Sequence, residues 1–372
     1  MAATADTTLH SVLRSLGKDR NSNTDKGEVK LANSTIDTTK DAILKRGDAN
    51  KGDIKKSKPV DYDQVWAAGT KLVTNNTLEK NHGNDPILLA PYNYLSGHPG
   101  KSIRSKMIQA FDHYLQVPPV SLAVITRVVE MLHNASLLID DIEDDSTLRR
   151  GAPVAHHIYG TAQTINSANY AYFLAQSELR NITEPDLQSI FTEELLNLHR
   201  GQGIEIFWRD SITCPTEEEF IDMINNKTGG LLRLAVRLMM ATAKTPNRDC
   251  TRLVNLIGIH FQIRDDYMNL QSKDYTDSKG FCEDLSEGKF SFPVIHSIRS
   301  DPKSRQLIDI LKQKPQSIEI KKYALKLMEA TDTFAYTRHF LRNLNDEIRQ
   351  EIVLLGHNPH LEKILTILDI QN

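Results

Sequence analysis

Two runs of carboxylates carry the most chemistry in this chain. The first, Ser136-Leu-Leu-Ile-Asp140-Asp141-Ile-Glu143-Asp144-Asp145, puts five acids in six residues at the end of a strongly apolar segment. On a helix Asp140 and Asp144 share a face, with Asp141 flanking. Carboxylates at a helix C-terminus sit at the unfavourable end of its dipole, so they require a counter-charge, and hard divalent cations with oxygen ligands supply one. The second, Gly258-Ile-His-Phe-Gln262-Ile-Arg-Asp265-Asp266-Tyr-Met-Asn269, closes another apolar segment. Gln262, Asp266 and Asn269 fall on one side of it, and Asp265 lies four residues before Asn269. Carboxylate and amide oxygens suit Mg2+, while an amide nitrogen donates to an anion. A single acidic run is ordinarily a solvated turn. Two that each end a hydrophobic helix predict metal-binding faces opposed across a bundle.

Cations stand where an anionic substrate would need them. Lys101 and Arg104 are three apart, Arg149 and Arg150 follow the first acidic run, Lys227-Thr228 precedes two glycines, and Lys279 and Lys289 follow the second run. Arginine offers forked hydrogen bonds to phosphate oxygens and lysine a mobile point charge. The sequence has neither a Walker loop nor a dinucleotide fingerprint, which disfavours a nucleotide. The combination predicts a polyphosphate held through bridging Mg2+, with apolar walls around a hydrocarbon remainder. A prenyl diphosphate fits that description.

The elements that must position these groups read as helices. Val120–Ile139 is apolar on nearly every side, which predicts a central helix buried all round. Leu195 and Leu198, then Leu231, Leu234, Leu238 and Met239, then Leu253, Leu256, Ile257 and Phe261 recur at helical spacing, and Phe340, Leu344, Ile348 and Ile352 step by four. The expectation is an all-α domain over residues 86–372, with 61–85 as a transition. Residues 1–60 hold no Phe, Tyr or Trp and carry 12 basic against 8 acidic side chains, a composition expected of a disordered polar tail or linker. Across all 372 residues the net charge is −3, so no global positive field favours nucleic acid. No stretch approaches the roughly 20 uncharged apolar residues of a bilayer span. Three cysteines without metal-ligand spacing suit a reduced compartment, and cytoplasm is the default expectation.

The string His133-Asn-Ala-Ser-Leu-Leu-Ile-Asp140-Asp141-Ile-Glu-Asp144, followed by Leu-Arg149-Arg150-Gly, resembles the first aspartate-rich motif of trans-prenyl diphosphate synthases, and Phe261–Asn269 resembles their second. Leu198-His199-Arg-Gly-Gln202-Gly, Asn226-Lys227-Thr228-Gly-Gly and Glu287-Gly-Lys289-Phe-Ser-Phe-Pro are similar to the fungal geranylgeranyl diphosphate synthase branch. The resemblance runs from about Ile87 to the C-terminus. It implies a large antiparallel helical bundle of the isoprenoid synthase type around a central apolar cavity. It further implies isopentenyl diphosphate held by Lys101, Arg104, His133 and Arg150. Asp140, Asp144 and Asp265 would be the principal ligands of three magnesium ions, supported by Asp141 and Asp266. Arg149, Lys227, Thr228, Gln262, Asn269, Lys279 and Lys289 would grip the allylic diphosphate.

The implied chemistry is ionisation of the allylic diphosphate, attack by the isopentenyl double bond and loss of a proton, with the released diphosphate as a candidate acceptor. Small Ala135 and Ser136 would leave the product channel open beside the first motif. Tyr172, Phe173 and His199 would form its floor and select a twenty-carbon product, and truncating either aromatic would lengthen it. A homodimer or higher assembly is expected, with a fused or associated terpene cyclase as a further partner if residues 1–85 are a linker. A class I cyclase is disfavoured by Asp265-Asp266 and by Lys101, Arg104 and His133; a non-catalytic partner subunit is disfavoured because no acidic ligand is lost.

Overall fold

The computed structural model describes residues 84–98, 100, 103–244, 248–272 and 281–369. The polar segment, the transition as far as residue 83, Lys101 and Lys279 lie outside them. Among the described residues the structure is almost wholly helical. The first half comprises α1 (Ala90–Ser96), α2 (Ile103–Leu115), α3 (Pro119–Glu143), α4 (Ala155–Tyr159), α5 (Thr161–Glu178) and α6 (Leu187–Ser211). The second comprises α7 (Glu217–Thr242), α8 (Thr251–Gln271), α9 (Glu283–Glu287), α10 (Phe292–Ser300), α11 (Gln306–Lys312), α12 (Ile318–Ala330), α13 (Thr333–Leu355) and α14 (Pro359–Leu368).

Local chemistry sets the ends of these helices. Pro119 opens α3 at a position whose N–H would have no partner anyway. A capping box opens α7: Thr216 Oγ1 accepts the Glu219 N–H at 3.1 Å, and the Glu219 carboxylate accepts the Thr216 N–H at 2.7 Å. Asn358 Oδ1 caps α14 by accepting from His360 and Leu361.

Short connections make α6, α7 and α8 antiparallel neighbours, and glycines let their backbones touch. A Cβ on Gly201 would stand 2.5 Å from Lys227 N, and one on Gly258 would stand 2.9 Å from the Gly229 Cα. These contacts bring the middles of three helices together, and that is where the functional side chains converge. Phe111, Phe220, Phe292 and Phe340 are fully buried around them, and the stepped face Phe340, Leu344, Ile348 and Ile352 is buried as its spacing predicts.

The central helix departs from expectation. Among the described residues α3 is the one helix long and apolar enough to cross a bilayer. In the bundle it packs against α5 and α7 through Val124, Ile125, Val128, Val129, Leu132 and Leu138. It is not buried all round, because His133, Ser136, Leu137 and Asp140 turn to a cavity and Val120 is exposed. After α3, Leu148–Arg149 (β1) pairs antiparallel with Ala152–Pro153 (β2), a two-residue hairpin that apolar periodicity cannot reveal. Arg150 and Gly151 at its turn both have positive φ, 55° and 76°, as the tightest hairpin turns require. The hairpin sends Arg149 and Arg150 to different partners.

Candidate active site

A cavity of about 330 Å³ lies between α3, α5, α6, α7, α8 and α9. Both acidic motifs open onto it, and in each pair of neighbouring aspartates one faces the cavity while the other is held behind the wall. Asp140 and Asp265 line it. Asp141 is buried and accepts from Arg149 Nε at 2.6 Å; the same guanidinium donates to Asp140 Oδ2 at 3.1 Å. Asp266 is buried and accepts from Gln262 Nε2 at 2.8 Å and from the Phe292 N–H at 3.0 Å. Successive helical residues point about 100° apart, so a paired motif supplies one ligand and one anchor. Asp141 therefore stands behind the wall, where it orients Arg149.

Charge is concentrated on the wall. Seven carboxylates line it, from Asp140, Glu143, Asp144, Asp265, Glu283, Asp284 and Glu287, against the four cations Arg104, Arg149, Lys227 and Lys289. Burial pushes the Asp144 carboxyl well above the ordinary range, and Asp140 and Glu287 push it further. Burial likewise raises Glu287, against the pull of Lys289 and with Asp140 adding to it. Such a surplus repels a diphosphate unless cations accompany it. Among the described residues no three carboxylates converge closely enough to hold a metal ion alone. Both facts fit Mg2+, which takes one or two carboxylates and completes its shell with water and substrate phosphate. Asp140, Asp144 and Asp265, the ligands that the resemblance implies, are among the wall residues that could hold it.

The opposite sign dominates at the other end of the α3 face. Arg104 Nη1 lies 2.9 Å from His133 Nε2, and because a guanidinium only donates, His133 accepts and is neutral. Burial, then Arg104, Arg150 and Arg149, push the His133 imidazole down to about 2. Burial and Arg150 lower Arg104 itself to about 10. Crowded cations that suppress one another mark a place where an anion is stabilising. Arg150 supports this pocket from behind: its guanidinium donates to the carbonyls of Leu95 at 3.2 Å and His98 at 2.8 Å and to Asn134 Oδ1 at 3.1 Å. These bonds turn it to α1 and α3, and it is not among the residues that line the cavity.

Lys227, Thr228, Gln262, Asn269 and Lys289 all line the cavity. Thr228 Oγ1 donates to Gln262 Oε1 at 2.6 Å, so Gln262 links α7 to the buried Asp266. Asn269 Oδ1 accepts the Asp284 N–H at 3.2 Å, which steadies the start of α9. Tyr172 and His199 face one another with ring centroids 5.9 Å apart, beside Leu198 and Leu231 on the same wall. Phe173 does not join them. It is 69% exposed on the outer face of α5, because its neighbour Tyr172 already takes the inward direction. Ala135 is also displaced: it packs with Ala168 and Ala171 between α3 and α5, leaving Ser136 as the small residue on the wall.

Four contacts had no forerunner in the sequence reading. Gln202 Nε2 donates to Glu143 at 2.6 Å, Arg209 Nη1 donates to Asp144 at 2.7 Å, Lys227 donates to Glu205, and Lys289 lies 3.7 Å from Glu205. All come from α6, whose Gly201 and Gly203 were the available signal, since helix-interior glycine costs about 1 kcal/mol relative to alanine.

The polyprenyl synthetase family model matches residues 85–328, an interval that holds both acidic motifs and every wall residue named above. The chain belongs to the polyprenyl synthetase family. Among curated proteins it is 59% identical over 300 residues to a geranylgeranyl pyrophosphate synthase of Mucor circinelloides f. lusitanicus, covering 81% of this chain and 98% of the relative. It is 56% identical over 290 residues to a geranylgeranyl pyrophosphate synthase of Fusarium fujikuroi, covering 77% and 69%. A copalyl diphosphate synthase of Talaromyces verruculosus is 59% identical over 263 residues, 71% of this chain but only 27% of that protein.

Proposed function

We propose that this polyprenyl synthetase condenses isopentenyl diphosphate successively with dimethylallyl, geranyl and farnesyl diphosphates to give geranylgeranyl diphosphate for terpenoid synthesis. The observation that carries this reading is a single cavity lined by Asp140 and Asp265 from two helices, by Lys227 and Lys289, and by an aromatic pair. Fungal relatives that bear the geranylgeranyl name at 56–59% identity support the product.

Lys227, Lys289 and Arg149 address the allylic diphosphate, while Arg104 and neutral His133 take the isopentenyl diphosphate. Asp140, Asp144 and Asp265 would hold Mg2+, three ions in our reading, which would supply Lewis-acid stabilisation of charge building on the leaving diphosphate. The allylic C–O bond breaks with its electron pair going to diphosphate. The isopentenyl double bond then forms the new C–C bond, and a proton from the adjacent carbon passes to the released diphosphate. Leu137, Ile139, Leu198, Leu231 and Phe261 keep water from the cation.

The assembly we infer is a homodimer or higher. Phe173, Leu196 and Phe207 are 69%, 51% and 58% exposed on α5 and α6, helices that meet at Tyr172 and His199, and such a surface favours a covering partner. Light scattering should show a monomer for a Phe173→Glu, Phe207→Glu double variant; an unchanged mass would rule this face out. A second reading is the same chemistry with a longer product as the prenyltransferase part of a larger terpene synthase; the match to 27% of the copalyl diphosphate synthase supports the larger protein and not the longer product.

Product sizing tests both. Purified chain with Mg2+, isopentenyl diphosphate and each allylic diphosphate should yield a twenty-carbon alcohol after dephosphorylation. Longer alcohols favour the second reading, and no elongation refutes both.

A further inference from the structure

Glu205 belongs to neither acidic motif. It rises from the C-terminal third of α6 and is 14% exposed, and it is not among the residues that line the cavity. Its carboxylate serves two lysines from different elements. Lys227 Nζ on α7 donates to Oε2 in a close contact, and Lys289 Nζ, just after α9, lies 3.7 Å from Oε1. Each lysine has a second carboxylate beyond: Asp140 Oδ1 is 3.6 Å from Lys227, and Asp266 Oδ1 is 3.7 Å from Lys289. The five groups alternate in sign from the first acidic motif to the second, with Glu205 at the midpoint. Both lysines line the cavity and Glu205 does not, so any effect it has on substrate passes through them.

Two ammonium groups brought together out of water repel each other and lose hydration, and a shared anion offsets both costs. The same anion repels a diphosphate that approaches the lysines from the cavity side. We propose that Glu205 is a positioning residue that holds Lys227 and Lys289 side by side and competes with diphosphate for them, so that both lysines grip the leaving group without trapping it. The inference rests on the reading of this cavity as a diphosphate site. It assigns product release, and not only binding, to a side chain outside the motifs.

The test uses the full chain with Mg2+ and inorganic diphosphate as inhibitor, alongside steady-state kinetics with farnesyl and isopentenyl diphosphates. In Glu205→Gln the inhibition constant for inorganic diphosphate and the KM for farnesyl diphosphate should each fall about fivefold or more, with kcat falling and the isopentenyl KM unchanged. Glu205→Asp keeps the charge and should bring the inhibition constant most of the way back to the wild-type value. If Glu205→Gln does not fold, the smaller neutral Glu205→Ser carries the same expectation.

A purely structural role would lower the melting temperature and raise both KM values; that result, an unchanged inhibition constant, or equal tightening in the Asp variant overturns the proposal. Wild-type chain that neither elongates nor responds to inorganic diphosphate would instead overturn the diphosphate reading itself.

Discussion

Replacing Tyr172 by Ala should lengthen the product, and replacing its neighbour Phe173 should not. The two point in different directions: Tyr172 lies 5.9 Å from the His199 ring on the cavity wall, and Phe173 is 69% exposed. Removing the phenol opens room for a further five-carbon unit. At about 0.8 kcal/mol per buried CH₂ that unit gains about 4 kcal/mol, close to three powers of ten in retention of the growing chain. Wild-type chain forgoes this gain because the ring occupies the space. The fold should tolerate the change, since a half-buried tyrosine costs less to truncate than the roughly 3–5 kcal/mol of a fully buried aromatic. The assay is extension of farnesyl diphosphate with excess isopentenyl diphosphate, followed by dephosphorylation and mass spectrometry. Twenty-carbon alcohol is expected from wild type and Phe173→Ala, and twenty-five carbons or more from Tyr172→Ala. A twenty-carbon product from Tyr172→Ala, or a longer one from Phe173→Ala, would refute the argument from helix direction.

Because no three wall carboxylates cage a metal by themselves, Mg2+ alone should barely raise the melting temperature. Mg2+ with inorganic diphosphate at about 100 times its Kd should add about 2.7 kcal/mol of stability; equal shifts with and without diphosphate would show a preformed metal site. Glu194 is buried and accepts from Arg233 Nε at 2.9 and 3.0 Å and from Arg237 at 2.6 Å, so Glu194→Ala leaves the buried Arg233 guanidinium without its counter-charge, while Arg237 keeps Glu193 at 2.8 Å. It should cost about 3–5 kcal/mol in urea unfolding, and a loss under 1 kcal/mol would show that water replaces the carboxylate. Burial holds His260 and His296 at about 4, from an ordinary 6.5. The unfolded chain binds more protons between those values, so stability is complete above about pH 6.5 and is lost as pH falls toward 4. At pH 5 each histidine accounts for about 2 kcal/mol. A His260→Asn, His296→Gln variant should flatten most of the fall in urea midpoint between pH 7 and pH 5, and an undiminished fall would place acid sensitivity in other groups.

The helices were legible because their apolar positions recur at 3.6 residues, and the acidic motifs were legible because carboxylates rarely terminate buried helices without a task. Periodicity is a property of neighbours along the chain, so it also marked the stepped face of α13. It could not tell Tyr172 from Phe173, since both are large and apolar and only the packing of α5 against α3 and α6 selects which turns inward. The same blindness divides Asp140 from Asp141 and Arg149 from Arg150. In each case adjacent residues of one chemical type receive opposite assignments from helix rotation or from a two-residue hairpin.

Glu205 shows the complementary gap. The Leu198–Gly203 string ends just before it without including it, and its meaning comes from Lys227 and Lys289, which the chain delivers from two other elements. Local sequence by itself determined the helical class, the two acidic faces and the cations that an anionic substrate needs, because spacing along a helix converts directly into a shared face. Only tertiary structure decided which member of each pair reaches the cavity, where the floor lies and which carboxylate stands between the lysines. Those outcomes depend on close backbone approach at Gly201 and Gly258 and on the rotation of each helix about its axis, and both are set by packing between segments far apart in the chain.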